Sequence, residues 1–161
     1  MVEVEIAVDD TLNEIVQIIN SSDEKTAKAE SIARVIRSVG GYRWVGIYDV
    51  NEQEVSNIAW SGKGAPAFPR FPVNQGLSAA AITVKKTVVC NDVANDPRYL
   101  TAFGNTQSEI IVPIVDNRHD CVVGTLDVES DVKNAFNDED RHRLEEYARA
   151  IAPLWKVEVA R

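Results

Sequence analysis

Two apolar runs, Glu109 to Val115 and Cys121 to Val128, are separated only by Asp116-Asn-Arg-His-Asp120. So short a polar connection forces adjacent antiparallel pairing, because a parallel return needs a crossover of about a dozen residues or more. The pair fixes the centre of a sheet. Glu109, Asp127 and Glu129 punctuate the runs where the chain enters or leaves that sheet. Asp127 and Glu129 are two apart, so strand alternation turns both to one face while Leu126 and Val128 turn to the other. Thr87-Val-Val-Cys90 reads as a further strand, followed by the polar stretch Asn91 to Leu100.

Helices are predicted on either side. Thr11 and Glu14 form a capping-box pattern ahead of the stripe Leu12, Ile15, Val16 and Ile19, which predicts a short helix starting there. Ser21 and Glu24 repeat the pattern before a longer helix with Ile32, Val35, Ile36 and Val39 on one face, stopped by Gly40-Gly41. Arg43 to Tyr48 and Glu54 to Trp60 read as a hairpin. Ser61 to Pro72 holds three of the six prolines and reads as a covering loop. The alanine-rich segment Gly76 to Val84 predicts a helix, and Asn91 to Gln107 a second cover. Asn137 caps the last predicted helix, with Asp138, Glu139 and Asp140 in its first turn. Pro153 is expected to kink or end that helix. The order of elements predicts one α+β domain over residues 1–161: helices over 1–40, sheet and covers over 42–130, and a closing helix over 137–157. The sheet is antiparallel, with terminal helices on one face and loops on the other.

A chain of 161 residues buries roughly 68–70% of its unfolded surface. Its net charge of −8 repels phosphate backbones and anionic membranes, and its cations are scattered, so neither nucleic acid nor membrane is an expected partner. The acidic first residues carry no secretory pattern, which predicts a cytoplasmic protein. Cys90 and Cys121 make no disulfide framework, and each is expected as a small buried hydrophobe.

Six pieces in order carry a family resemblance: Trp44-Val-Gly-Ile-Tyr48; Gly76-Leu-Ser78; Val89 to Tyr99; Ser108-Glu-Ile-Ile-Val-Pro-Ile114; Val123-Gly-Thr-Leu-Asp-Val-Glu-Ser130; and Ala135-Phe-Asn-Asp-Glu-Asp140. Together they resemble a GAF domain from about Ala27 to Trp155. The resemblance implies a GAF-like, PAS-like antiparallel sheet of about six strands. Within that family the one-domain size and the Ser108-Glu-Ile segment are similar to the free methionine-R-sulfoxide reductases. Those enzymes use cysteines at positions that match Phe68, Ser78 and about Ala102, and none of these is a cysteine. Sulfoxide reduction needs a thiolate and a resolving thiol. Binding, not catalysis, is therefore the expected activity, with no cofactor.

The resemblance also implies that Glu109, Asp127 and Glu129 hold the ammonium of an amino-acid-like ligand. The cover aromatics Trp60, Phe68, Phe71, Tyr99 and Phe103 are candidate pocket walls. The competing reading has the acids capping turns or pairing with Arg43, Arg70 or Arg98, and the aromatics filling space under loops. GAF domains commonly pair through terminal helices, which implies a homodimer with Ile15 and Ile19 in the contact, and a sensory or signalling role. The cyclic-nucleotide signature of the family is not matched by Asn117-Arg118 or by Phe136-Asn-Asp-Glu-Asp140. Asp116, His119, Asp120 and Cys121 cluster in sequence, but strand ends seldom aim neighbours at one point, so no metal is expected.

Overall fold

The computed structural model describes residues 2–99 and 104–156, with side chains of the first helix from Asp10 onward. The chain runs α1 (Val2–Ile19), α2 (Lys25–Gly40), β1 (Trp44–Val50), β2 (Glu54–Gly62), β3 (Arg70–Pro72), α3 (Gly76–Val84), β4 (Val88–Cys90), β5 (Ser108–Asp116), β6 (Cys121–Ser130) and α4 (Asp138–Ile151). Short 3-10 turns cover Val93–Asn95 and Ala152–Trp155. Six strands form one antiparallel sheet in the order β3-β2-β1-β6-β5-β4.

The two sheet faces have opposite chemistry. Ile110, Val112, Ile114, Leu126, Val128, Val45 and Ile47 alternate onto one face and are essentially unexposed. There they join Ile32 and Ile36 of α2 and Leu144, Tyr147 and Ile151 of α4 in the main core. α2 packs on β1 and β2, α4 packs on β5, and α1 bridges α2 and α4. The other face carries the acids and lies under α3 and the loops. Two rungs cross it: Cys90, Glu109, Glu129, Trp44 and Gly62 in one, and Val88, Ile111, Asp127, Gly46 and Trp60 in the next. Directly paired residues share a face, so each rung is a row of neighbouring side chains.

Several local expectations need correction. α1 begins by Val2, so Thr11 lies inside the helix, buried against Tyr147, and caps nothing. Ser21 closes α1 by donating its hydroxyl to the Ile18 carbonyl at 2.8 Å; Glu24 precedes α2 without a side-chain cap bond. Ser61 to Pro72 is not loop throughout, because Arg70–Pro72 pairs with Glu54–Ser56 as an edge strand. Ile15 is fully buried in the chain's own core, and among the described side chains of α1 the exposed large apolar one is Val16, 44% exposed. Cys121 is exposed at the start of β6 rather than buried.

Other features follow the sequence closely. Gly41 takes φ +63° and closes α2 through its N–H to the Arg37 carbonyl, a left-handed position that suits glycine. The Asn137 side chain accepts from the Asp140 N–H, and Asp140 accepts from the Asn137 N–H, completing a capping box. α4 stops at Ile151 and tightens into a 3-10 turn around Pro153. Pro113 is tolerated within β5 because β4 pairs only with Glu109 to Ile111, so it faces a ladder on one side alone. No described helix is long and apolar enough to cross a membrane.

Gly124 is where β6, β1 and the C-terminal turn converge. A Cβ there would lie 2.6 Å from the Tyr48 carbonyl oxygen and 2.3 Å from the Trp155 ring. The backbone contact cannot yield cheaply. Gly124→Ala is expected to lower unfolding free energy by about 1–3 kcal/mol, read as a reduced denaturation midpoint with an unchanged denaturant slope.

Candidate functional site

β5 and β6 bring the three acids together. Glu109 pairs with Glu129, and Asp127 sits one rung along opposite Ile111. One carboxylate oxygen from each lies within 4.8 Å of the others. All three side chains are buried, with Glu129 only 1% exposed. None of the ion pairs among the described residues includes them. Arg70 pairs with Glu54 and Arg98 with Asp96, while Arg43 donates to Asn105 at 2.6 Å and adds only a minor favourable charge at Glu129. The arginine-pairing reading therefore does not account for the trio.

Its hydrogen-bond partners are neutral. Thr106 donates to Glu129 Oε1 at 2.8 Å and the Tyr99 hydroxyl reaches the same oxygen at 3.4 Å. The Glu109 and Asp127 carboxyls adjoin, and each affects the titration of the other. Asp127 Oδ1 is buried and has no hydrogen-bond partner.

Burial dominates the titration of all three. Desolvation pushes Asp127 up to about 6, and desolvation followed by the Asp127 charge pushes Glu129 up to about 8. Glu109 is held well above the usual carboxylate range by desolvation and then by the charges of Asp127 and Glu129. The repulsion has a scale. Two like charges about 4 Å apart at an effective dielectric near 20 cost about 4 kcal/mol, so three ionised members with no cation among them would be strongly unfavourable. Tyr48, on the same face, is kept protonated by desolvation and then by those carboxylates.

The acids open into a narrow cavity of about 30 Å³, room for a water or two. Pro66, Phe68 and Phe71 wall it from the first cover, Tyr48 and Ile111 from the sheet, and Gly76, Leu77 and Ser78 from the start of α3. Gln75 makes no side-chain cap bond to α3, and Gly76, Leu77 and Ser78 line the cavity, so the N-terminal end of that helix lies at it. The cavity thus has an anionic side and a donor side. The same three carboxylates carry six oxygens, a donor set that also suits a hard cation.

Among the predicted walls, Phe68 and Phe71 line the cavity, and Tyr99 reaches it through Glu129. Trp60 does not line it, although it shares a rung with Asp127. The Trp44 ring lies over Gly46, between Asp127 and Trp60; a Cβ on Gly46 would come within 2.3 Å of it. Phe103 and Ala102 fall outside the described residues. Sequence reasoning missed Tyr48 and the α3 start as lining, though both belong to segments that carried the resemblance. Ser78, at a cysteine position of the reductases, lines the cavity at 6% exposure. The Cys90 thiol sits on the Glu109 rung, in contact with Asp96 at 3.6 Å, and burial pushes its pKa up. Asp116 and His119 pair with each other at 2.8 Å and do not gather Cys121 into a metal cluster.

A larger groove of about 620 Å³ lies between α4 and the outer edge of β5. Two of its four cations are matched by neighbours, Lys85 with Asp120 and Arg141 with Glu145, and the buried acids lie at the trio instead.

A six-stranded antiparallel sheet with helices on one face and a covered pocket on the other is the architecture of a GAF domain. The GAF domain family matches residues 26–153, and the chain belongs to that family. It is 29% identical over 133 residues to Protein YtsP of Bacillus subtilis, covering 82% of this chain and 80% of that one. A type II free methionine-R-sulfoxide reductase from Thermoplasma acidophilum superposes with a TM-score of 0.76 at 29% identity, covering 81% of this chain and 91% of the other. A free methionine-R-sulfoxide reductase from Neisseria meningitidis, solved in complex with its substrate, superposes with a TM-score of 0.83 at 25% identity, covering 92% and 88%.

Raised carboxyl pKa values make folding favour the protonated forms. That contribution is complete below the unfolded values near pH 4. It is lost as pH rises through about 6 for Asp127 and about 8 for Glu129. The ligand-free protein is therefore expected to lose thermal stability from about pH 5 to 8, and Glu129→Gln is expected to flatten that decline; calorimetric melting across the range checks both.

Proposed function

We propose that this chain is a small-molecule-binding GAF domain with a sensory role, whose ligand presents an ammonium group to Glu109, Asp127 and Glu129. One observation carries the reading: Asp127 Oδ1 is buried at the pocket and has no hydrogen-bond partner. A buried anionic oxygen without a donor is costly, and an ammonium supplies donors and charge together. The uncapped start of α3 offers N–H groups to an anionic or polar oxygen on the same ligand, as helix N-termini do. An amino-acid-like molecule has both groups, and because the cavity holds only about 30 Å³, the first cover, where Phe68 is exposed, must shift to admit more than the ammonium. Phe68 and Phe71 add apolar wall for its side chain.

The relatives named free methionine-R-sulfoxide reductases favour a second reading, that of an enzyme. Against it stands the state of the thiols. Reduction requires a thiolate, whereas burial keeps the Cys90 thiol neutral and Cys121 lies at the other end of β6 from Asp127 and Glu129. A thermal-shift screen of amino acids, their oxidised forms and purines is expected to pick out amine-bearing compounds. Asp127→Asn is expected to weaken the binding at least tenfold, about 1.4 kcal/mol or more. A thioredoxin-coupled assay on free methionine sulfoxide is expected to show no turnover. Purine binding that is indifferent to Asp127→Asn would reject the reading.

The same reading includes a homodimer through the terminal helices, its contact moved from buried Ile15 to exposed Val16. Val16→Glu is expected to halve the mass measured by light scattering while leaving the melting curve of the fold intact; an unchanged mass would remove α1 from the contact.

A further inference from the structure

Among the described residues the acid trio forms no ion pair with a cationic side chain, yet it is enclosed by neutral partners. On β6 are Asp127 and Glu129, and on β5 is Glu109, one carboxylate oxygen of each lying within 4.8 Å of the others. β1 contributes the neutral phenol of Tyr48, and Arg43, just before it, exerts a minor favourable charge on Glu129. β4 contributes the Cys90 thiol, itself facing Asp96 with its Arg98 partner. The second cover contributes Tyr99 and Thr106, both donors to Glu129 Oε1. α3 contributes the Ser78 hydroxyl, and the first cover contributes Pro66 and the rings of Phe68 and Phe71. A cluster so enclosed calls for neutralisation from outside the protein, by protons or by a cation.

We propose that the trio is a proton-for-cation exchange site: without ligand, Glu109 keeps a proton shared toward Asp127, and an entering ammonium displaces that proton to solvent. The inference rests on the ligand reading above and adds its regulation. Proton and ammonium compete for the same oxygens, so capture strengthens as pH rises. The exchange also explains how one site can be stable both empty and full: charge arrives as charge leaves, and the buried cluster is never left with three bare anions.

The test uses the whole chain and two probes, L-methionine and butylamine, whose nitrogens are both cationic from about pH 5 to 8. Calorimetric titration near pH 6.5 in phosphate and in MES, buffers of different protonation heat that carry no primary ammonium, counts protons released. At least one proton is expected per probe bound, with affinity rising about tenfold or more per pH unit between about pH 5 and 7 and a shallower slope in Glu109→Gln. Probes that bind with the same heat in both buffers would overturn the exchange while sparing the ligand reading. Failure of both probes to bind at any pH would overturn the ligand reading and the exchange with it. Carboxyl-carbon NMR of the ligand-free protein is an independent measurement: a member of the trio still protonated at pH 7 upholds the proposal, and three ionised carboxylates overturn it.

Discussion

The site depends on the register of the β5–β6 hairpin. Pairing Glu109 with Glu129 and Ile111 with Asp127 puts every acid on the loop side and Ile110, Val112, Leu126 and Val128 on the helix side. A slip of one residue on either strand would drive carboxylates into the layer shared with Ile32, Ile36 and Leu144 and would expose the isoleucines. The apolar face therefore holds the acidic face in place. Burial of the helix side supplies the favourable energy that offsets an unfavourable cluster on the other side, a common division of labour between scaffold and site.

The covers complete what the hairpin begins. Phe68, Phe71 and Pro66 exclude water above the acids, which raises the cost of ionising them. Thr106 and Tyr99 tie the second cover to Glu129, so the loop that shields the cluster is also held by it. Trp44 performs a related service within the sheet. Its indole donates to the Gly64 carbonyl at 3.0 Å and lies over Gly46, and Trp44 itself holds the β1 position paired with Glu129. These contacts make a small acid-lined chamber on one face of the sheet.

The same contacts weigh against thiol chemistry at this site. The positions that resemble reductase cysteines carry Phe68 and Ser78, and both line the chamber. Cys90, on the rung of Glu109, faces Asp96 and keeps its proton. Burial and then the charge of Asp96 raise the Cys90 thiol above its ordinary pKa.

The sequence by itself determined the layers. Alternation in Ile110 to Ile114 and Leu126 to Glu129, the short polar connection at Asp116 to Asp120, the Gly41 stop and the Asn137 cap each act within a few residues, so each was legible in the chain alone. It also exposed the acid trio as a candidate, because Asp127 and Glu129 must share a face. Helix starts were less legible: the Ser/Thr pattern at Thr11 and Ser21 suits a cap, but a buried Tyr147 and the turn closing α1 claimed those hydroxyls. The three-residue β3 carried too few alternating positions to stand out among prolines. Only the tertiary structure decided which side chains meet: that Trp44 rather than Trp60 borders the acids, that α3 brings its uncapped N–H groups to the same chamber, and that Arg70 and Arg98 pair elsewhere. Contacts across strands and loops depend on distances that local periodicity does not encode, and the electrostatic state of a carboxylate follows from those neighbours.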